Sequence, residues 1–403
     1  AEHEEHLHKE NVPNLRFPEF SKSYSQTTIS KLATIVGGGT PDTTVQEYWN
    51  GGIQWFTPSE IGKKKYADKS ERTISREGLS NSSAKLLPIN TILLSTRATI
   101  GESSIAKVEC CTNQGFQSLI ANEEIVCYEY LYYLVATLKK ELIRKSCGST
   151  FLEISANEVR KIKTFVPSLD EQSKVSSLLS LIDDRIATQI KIIEDLKKLK
   201  SAISKRVFAQ KDLLETTICL SDIATLKNGY AFQSSKYNPL GKWKILTIAN
   251  VSGERYINNE DCNCIINLPS DIQNHQVLKE GDILISLTGN VGRVSLCKAG
   301  DYLLNQRVGL LQFTNNANRE FIYQVLSSRR FENSMIACGQ GAAQMNIGKG
   351  DVENYVLPYS TNANNIHLVA KILQSYDEKI INEQRRLSLL TMQKQYLLAQ
   401  MFI

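Results

Sequence analysis

The sequence predicts an α+β protein made of two mixed α/β domains, each followed by a long helix, with the two helices paired as an antiparallel coiled coil. Three observations predict this class. The chain has 403 residues, enough for two or three domains with a core each. It repeats itself at a spacing of about 191 residues, which is a whole domain plus a helix and far exceeds a solenoid repeat. Each copy also closes with a stretch that carries a heptad pattern.

The repeat consists of short motifs that recur in the same order. STRATIG at 95–101 recurs as SLTGNVG at 286–292, and Asn113-Gln114 recurs as Asn305-Gln306. Further pairs are Leu32-Ala33-Thr34 with Ile223-Ala224-Thr225, Cys147-Gly148 with Cys338-Gly339, Pro167 with Pro358, and Phe208 with Phe402. A binding domain that is present twice indicates a target that is itself in two parts.

Composition divides the chain into five segments. Gly, Pro, Asn and Ser interrupt short strand-like runs such as IQWF at 53–56 and TILLST at 91–96, whereas EYLYYLVATLKKELIRK at 129–145 predicts a helix. The stretch 168–208 has neither Gly nor Pro and predicts a long helix. We therefore predict a loose tail over 1–13, a first domain over 14–166, a helical spacer over 167–211, a second domain over 212–359 and a second helical spacer over 360–403.

Each predicted long helix carries a stripe of residues at alternating steps of four and three, the seam of a coiled coil. Parallel packing would set Lys200 against Lys394, and two like charges in a partly dry seam are penalised. Antiparallel packing sets Lys200 opposite Glu383 and Gln189 opposite Lys394, so we predict this direction. In the alternative, each helix packs only on its own domain. The seam consists of Ile182, Ile186, Gln189, Ile193, Leu196, Lys200, Ile203 and Val207 in the first helix and Tyr376, Ile380, Glu383, Leu387, Leu390, Lys394, Leu397 and Met401 in the second.

Motifs of the common enzyme classes are absent from the sequence. Gly37-Gly38-Gly39 does not belong to a phosphate-binding P-loop, and there is no zinc-protease, serine-hydrolase, kinase, DNA-methylation or nuclease signature. Only His275 and His367 lie outside the N-terminal tail, so we expect no histidine general base. We interpret Asp183 and Asp184 as residues that suit the dipole near a helix start, not as a catalytic pair. The sequence therefore predicts a non-catalytic protein.

Cysteine usage and the N-terminal tail predict a cytoplasmic protein. The nine cysteines are scattered without a CxxC pair, so we expect reduced thiols and no metal site. The tail AEHEEHLHKE does not resemble a signal peptide, and no stretch approaches the ~20 apolar residues of a membrane span. The formal net charge of +5 permits binding to a polyanion without requiring it.

Polar side chains on predicted loops are candidates for contact with a nucleic acid. Lysines neutralise phosphates, arginine can bind guanine in a bidentate fashion, and asparagine and glutamine suit adenine edges. The alternatives are a solvated surface run for the lysines and satisfied backbone groups for the amides. The candidates are Lys63, Lys64, Lys65, Arg97, Asn113, Gln114, Ser149 and Thr150 in the first copy, and Arg293, Asn305, Gln306, Arg307, Gln340 and Gln344 in the second.

In the order of these motifs, the chain resembles the specificity subunits of type I restriction-modification systems. The resemblance covers most of the chain from Pro13 to Phe402. It rests on PNLRFPEF at 13–20, LLSTRATIG at 93–101, TNQGFQSLI at 112–120, CGST at 147–150, Glu171-Gln172 and the two helices that end in Phe. The second helix departs from the pattern, because Asn364-Asn365 stand where the first has Glu171-Gln172.

The resemblance implies two target recognition domains, each reading one half of an asymmetric bipartite site in double-stranded DNA. It implies that the helices set the spacing and dock two methyltransferase subunits, and that restriction subunits join the larger complex. S-adenosylmethionine, ATP and Mg²⁺ are then expected on partner subunits, with no cofactor on this chain and no membrane partner. The first seam spans roughly 40 Å, close to the ~34 Å of one DNA turn, so the helices could act as a ruler.

Other functions fit the sequence less well. An anti-restriction protein that mimics DNA would present a strongly acidic face, whereas this chain carries a net charge of +5. A fused enzyme would need a methylation or nuclease motif. A purely structural coiled-coil adaptor would not need two large domains with polar loops.

Overall fold

The protein is described by a computed structural model that covers residues 11–147, 152–314, 317–339 and 345–403. The chain forms two compact units. The first consists of the chain up to Gln189 together with Arg386–Ile403, and the second is Ile190–Arg385. Both unit boundaries fall inside the long helices, so each unit contains one mixed domain and one half of each helix.

Up to Gln189, the described residues of the first unit form ten short strands and six α-helices, the last of which continues into the second unit. The strands are β1 Ser25–Thr28, β2 Ala33–Gly37, β3 Trp49–Phe56, β4 Tyr66–Ala67, β5 Arg72–Ile74, β6 Ile92–Leu94, β7 Ser103–Ala106, β8 Cys110–Thr112, β9 Gln117–Ala121 and β10 Lys163–Val166. The helices are α1 Ile29–Leu32, α2 Arg76–Ser80, α3 Tyr128–Thr137, α4 Lys139–Arg144, α5 Ala156–Lys161 and α6 Leu169–Phe208.

The described strands of the first domain form three sheets. The largest has the order β2-β9-β6-β7-β4, with β4 parallel to β7 and the other pairs antiparallel. A second has the order β5-β3-β8, and β1 pairs with β10. All residues of β6 and β7 are buried. The main core lies between this sheet, α3 and the first half of α6, where Val175, Leu179 and Ile182 are buried.

The second unit repeats this plan in its own strands. They are β11 Thr216–Cys219, β12 Ala224–Asn228, β13 Trp243–Leu246, β14 Asn263–Ile265, β15 Val277–Leu278, β16 Ile283–Ser286, β17 Val294–Leu296, β18 Tyr302–Leu304, β19 Val308–Phe313 and β20 Val356–Tyr359. The helices are α7 Arg319–Leu326, α8 Arg329–Gly339, α9 Lys349–Glu353 and α10 Ala363–Met401. The sheets have the orders β12-β19-β16-β17, β14-β13-β18-β15 and β11-β20.

Both long helices bury the stripe that the sequence predicts as a seam. Every seam position from Ile182 to Val207 and from Tyr376 to Met401 is buried or partly buried. On α6, the other residues between 181 and 207 are exposed, except Asp183 and Ser204. The heptad pattern therefore identified the inner face of each helix.

The helices run antiparallel, as predicted. In the first unit the start of α6 shares a core with the end of α10, where Leu397 and Met401 are buried. In the second unit the end of α6 shares a core with the start of α10, where Ile366 and Leu373 are buried. The coiled-coil direction inferred from the like charges at Lys200 and Lys394 is thus confirmed.

The ion pairs of the two seam lysines join other residues than the predicted ones. Lys200 Nζ lies 2.6 Å from Asp377 Oδ1, where the sequence predicted Glu383, and Glu383 lies 2.9 Å from Lys379 of its own helix. Lys394 Nζ lies 2.6 Å from Asp183 Oδ1, where the sequence predicted Gln189. Asp183 and Asp377 each follow a residue of the seam, Ile182 and Tyr376 respectively. The flexible lysine side chains reach these aspartates from the opposite helix.

The two long helices start differently. At the start of α6, buried Glu171 accepts hydrogen bonds from Arg16 and Tyr24. The side chain of buried Gln172 accepts a bond from the N–H of Cys127 and donates to the carbonyl of Ile125, just before α3. Before α10, Glu215 accepts hydrogen bonds from the backbone N–H and the hydroxyl of Thr361. Asn364 and Asn365 bond to nearby residues, the N–H of Asn364 to Asn362 Oδ1 and the Asn365 amide to Ser360 Oγ.

Candidate nucleic-acid interface

At one end of the first domain, the turn after β6 is joined to the turn before β9. The backbone N–H and the hydroxyl of Thr96 both donate to the carbonyl of Gly115, at 2.8 and 3.1 Å. The loop after β2 lies against the same place, because a Cβ on Gly38 would lie 2.0 Å from the carbonyl oxygen of Asn113. Three polar loops are therefore held together at this end of the sheet, which we call the first reading end (residues 38–42, 95–101 and 113–115).

The candidate residues of the first reading end have distinct environments. Arg97 is half-exposed, and its Nε lies 2.9 Å from Glu153 Oε1. Asn113 accepts a hydrogen bond from the N–H of Gly115 at 2.9 Å, so its side-chain oxygen shapes the turn. Gln114 is exposed and accepts a bond from Thr40 Oγ1 at 2.6 Å. Arg97 and Gln114 are thus the exposed candidate side chains of the first reading end.

The second domain has the same frame, the second reading end (residues 229–233, 286–292 and 305–307). The N–H of Leu287 donates to the carbonyl of Arg307 at 3.0 Å, and a Cβ on Gly229 would lie 2.2 Å from the carbonyl oxygen of Asn305. Asn305 accepts from the N–H of Arg307 at 3.2 Å, which repeats the turn of Asn113. Gln306 and Arg307 are exposed.

Arg97 and Arg293, which the sequence placed on comparable loops, do not occupy equivalent positions. In each domain, the backbone N–H of the glycine that ends the turn donates to the backbone carbonyl of the serine that begins it. The distance is 3.0 Å from Gly101 to Ser95 and 2.9 Å from Gly292 to Ser286. This alignment places Thr288 at the position of Arg97. It places Arg293 at the position of Glu102.

Arg293 and Glu102 instead make ion pairs of opposite polarity beside their domains' helices. Glu102 lies 2.5 Å from Lys139, whereas Arg293 lies 3.6 Å from Glu332. Arg293 therefore follows the turn that is equivalent to that of Arg97, but it does not occupy the position of Arg97. The exposed arginine of the second reading end is Arg307, which stands where the first domain has Gly115.

The three lysines at 63–65 divide into two groups. Lys63 and Lys64 are exposed. Lys65 has a side chain only 9% exposed, and its Nζ lies 3.2 Å from Glu129 and 2.9 Å from Ser180 Oγ on α6. A cation held in this way is not free to neutralise a phosphate, so the structure argues against Lys65 as a DNA contact. Ser149, Thr150, Gln340 and Gln344 lie outside the described residues.

Sequence reasoning missed a cluster of charges where the first domain meets the long helices. Lys65 pairs with Glu129, and Tyr133 donates from its hydroxyl to Asp183 Oδ2 at 2.7 Å. Lys394 of α10 completes the cluster through its ion pair with Asp183. We call Lys65, Glu129, Tyr133, Asp183 and Lys394 the first ion cluster.

The second domain contains a matching second ion cluster, made of Arg255, Glu320, Gln324, Asp377 and Lys200. The guanidinium of Arg255 binds both oxygens of Glu320 at 2.8 and 2.7 Å and reaches Asp377 Oδ2 at 3.0 Å. Gln324 Nε2 donates to Asp377 at 2.7 Å. Burial opposes the charge of Arg255, but the bonds to Glu320 and the nearby Asp377 outweigh it and raise its pKa.

The two clusters are equivalent position by position. Lys65 and Arg255 each accept a β-bridge hydrogen bond on their carbonyl, from Ile105 and Leu296 at 2.7 and 2.8 Å. The only usable sequence signal was the repeat itself, since Glu129 recurs as Glu320. Asp183 recurs as Asp377 in the same way, but it was interpreted as a residue suited to the helix dipole.

Asp183 lies well inside α6, which begins at Leu169. The helix-dipole explanation for this residue was therefore wrong, although its role is structural.

No metal centre is visible in the part of the chain that the structure describes. Within those ranges, no three His, Cys, Asp or Glu residues lie close enough together to hold a metal ion. The buried thiols are also poor ligands and nucleophiles, because burial raises the pKa of Cys110 and Cys297 to about 12 and that of Cys111 to about 11. None of the described helices is both long and apolar enough to cross a membrane.

Fold and site together define a protein that carries one binding domain in two copies on a pair of antiparallel helices. The family model described as type I restriction modification DNA specificity domain matches the chain twice, at residues 22–198 and 215–392. The chain therefore belongs to the type I restriction-modification DNA specificity domain family. This confirms the resemblance found in the sequence.

Individual relatives match parts of the chain. The type I restriction enzyme MjaIX specificity subunit of Methanocaldococcus jannaschii is 36% identical over 191 residues, which cover 46% of this chain and 44% of that protein. The EcoR124I/EcoR124II specificity subunit of Escherichia coli is 30% identical over 163 residues, 39% of this chain and 40% of that protein. The chain thus spans less than half the length of these relatives in each match.

Solved structures share the fold over nearly the whole chain. The type I restriction-modification S subunit from M. genitalium superposes with a TM-score of 0.57 at 17% identity, over 97% of this chain and 99% of that chain. A chain from a structural study of complex assembly and conformational transition of the type I R-M system gives 0.58 at 16% identity, over 93% and 96%. At such low identity the likeness concerns the fold alone.

Proposed function

We propose that this chain is the non-catalytic DNA-recognition subunit of a type I restriction-modification complex, and that its two domains read the two halves of a bipartite, asymmetric site. The observation that carries the proposal is the pair of reading ends. The same three-loop frame occurs in both domains, yet equivalent turn positions carry different residues, Arg97 against Thr288 and Gly115 against Arg307. Two domains with the same loop arrangement but different residues at the turns are suited to bind two different short DNA sequences.

The chemistry of the exposed tips suits base edges in the major groove. Arginine binds the O6 and N7 atoms of guanine in a bidentate fashion, and a glutamine amide matches adenine N6 and N7. Arg97 and Gln114 would serve the first half-site, and Gln306 and Arg307 the second. Lys63 and Lys64, which are exposed, would neutralise phosphates and fix the domain's register on the duplex.

The long helices would dock the catalytic partners. Although the inner stripe is buried, the first unit leaves Leu181, Leu389, Met392 and Tyr396 on these helices between 60% and 65% exposed. Large apolar side chains clustered on a charged helix surface are typical of a protein interface. We propose that a methyltransferase subunit docks here, with restriction subunits joining the larger complex. S-adenosylmethionine, ATP and Mg²⁺ would act on those partners.

Selection from random DNA tests this proposal. The complex of this chain with its methyltransferase is incubated with a library of random duplexes, and bound DNA is enriched and sequenced. The expected result is two different specified segments separated by an unspecified spacer. Enrichment of one continuous motif, or of no motif, would contradict the proposal. A chain with Arg307→Ala should lose specificity in one segment only.

A further inference from the structure

Each ion cluster ties a domain to both long helices at once. In the second cluster, Arg255 comes from the loop between β13 and β14 and Glu320 and Gln324 from α7, whereas Asp377 belongs to α10 and Lys200 to α6. The first cluster joins the loop before β4, α3, α6 and α10 in the same way. Neither cluster belongs to a reading end, so DNA contact does not explain them.

The ion clusters consist of interactions whose strength depends on the relative orientation of the groups. Each has two cations and two carboxylates, so the formal charges cancel, and side-chain exposure is low, at 9% for Arg255 and 8% for Asp377. Charge-assisted bonds of this kind depend strongly on geometry, and breaking one leaves a charge buried without its partner. A domain that turned on its helices would break several of these bonds together. Apolar packing alone would resist such a turn less, because it is not directional.

We propose that Arg255 and Lys65 are positioning residues that fix the angle of each domain on its helices, and that they thereby determine which spacer length between the half-sites the protein accepts. The inference rests on the proposed function. One base pair changes the separation of two half-sites by about 3.4 Å and their relative rotation by roughly 34°. Spacer discrimination therefore requires each reading end to be held firmly, and the clusters supply that restraint.

The two positions differ in strength. Arg255 makes a bidentate bond to Glu320 and a third bond to Asp377, whereas Lys65 contacts Glu129 and Ser180 singly and reaches Asp183 only through Tyr133. A planar guanidinium restrains orientation more than an ammonium does. The second domain is therefore held more rigidly, and Arg255 has the larger effect on spacing.

The test measures methylation by the complete methyltransferase complex on duplexes that carry the native half-sites. The spacer is native, or one base pair shorter or longer. Arg255→Met removes the guanidinium and keeps an apolar stem, and Arg255→Lys keeps the charge. Lys242→Ala is the matched control, because it removes an exposed ion pair with Asp301 in the same domain. Thermal unfolding confirms that each chain is folded.

Wild-type protein and the Lys242→Ala control should methylate the native spacer preferentially. Arg255→Met should reduce that preference roughly tenfold, while its affinity for a duplex with the second half-site alone stays unchanged. Arg255→Lys should recover part of the preference. If Arg255→Met does not fold, Lys65→Met gives the same test in the first domain, with a smaller reduction.

The outcomes separate this inference from the proposed function. If the wild-type complex shows no preference for any bipartite duplex, the proposed function itself fails. If wild-type protein discriminates spacers and folded Arg255→Met and Lys65→Met discriminate them equally well, the positioning role is overturned. A uniform loss of methylation at all spacers in Arg255→Met would also overturn it, because that is the effect of general destabilisation.

Discussion

Lys200 on α6 and Asp377 on α10 form an ion pair of 2.6 Å between Nζ and Oδ1. The pair recurs at equal distance as Lys394 with Asp183, with the helices exchanged. Each lysine of the predicted seam thus meets an aspartate of the other helix, inside one unit. The two ion pairs give each lysine of the seam an acidic partner. Only antiparallel helices bring the end of each helix close to the start of the other, as these pairs require.

Charge exchange at Asp183 and Lys394 should reveal their coupling. Asp183→Lys alone and Lys394→Asp alone each place like charges together in a partly buried seam, so both should lower the free energy of unfolding. The double variant restores an opposite-charge pair, and a double-mutant cycle by urea unfolding should give a favourable coupling of about 1–3 kcal/mol. Additive effects of the two substitutions would show that the pair does not form.

Arg97→Ala and Arg307→Ala should act on different half-sites. Each variant should lose about 1–3 kcal/mol of discrimination at one base position of its own half-site, measured by competition binding with single-base variants of the duplex. Lys64→Ala is the matched control for a phosphate contact. It should weaken binding to all sequences alike and reduce the salt dependence by about one released ion. Equal loss on all DNA for Arg97→Ala would assign Arg97 to phosphate instead.

Thiol reactivity should divide the cysteines by burial. Burial raises the pKa of Cys110 and Cys297 to about 12 and that of Cys111 to about 11, so these three stay protonated and inaccessible at pH 8. Cys147 and Cys338 are exposed free thiols. A thiol reagent followed by peptide mass spectrometry should modify the exposed pair rapidly and the buried three only after denaturation. Rapid modification of Cys110 in native protein would contradict the core packing.

Glu215 should make stability depend on acid pH. Bonds from its own backbone N–H, the Ser360 hydroxyl and Thr361 lower the pKa of this carboxyl to about 2. Because the folded pKa lies below the unfolded value of roughly 4.3, the stabilisation is complete above that value and is lost as the pH falls toward 2. The difference in unfolding free energy between wild type and Glu215→Gln should shrink over this range. A constant difference would show that Glu215 is not held in its ionised form.

The sequence predicted the order of domains and helices because its signals are local. Heptad spacing, the lack of Gly and Pro over 168–208 and the recurrent motifs depend on neighbouring residues. The sequence did not predict the ion-pair partners of the seam lysines, because a long side chain can reach several acidic residues. Counting seam positions selects Glu383 for Lys200, since Asp377 lies one residue off the stripe, yet a lysine stem spans that offset.

The candidate site was predicted in part for a similar reason. Polar turns could be found by composition, and both Arg97 and Arg307 lie on the reading ends. The alignment of STRATIG with SLTGNVG pairs Arg97 with Thr288, and the backbone hydrogen bonds of Ser95 and Ser286 support that alignment. The bond from Leu287 that holds the turn of Arg307 joins residues far apart in sequence, so residue types could not reveal it.

Methylome sequencing tests the central claim most directly. A host without other modification systems expresses this chain with its methyltransferase, and the modified positions are mapped across the genome. Two different specified segments with a fixed unspecified spacer are the predicted motif, and Arg307→Ala should relax one segment alone. A continuous palindromic motif would contradict recognition by two different domains.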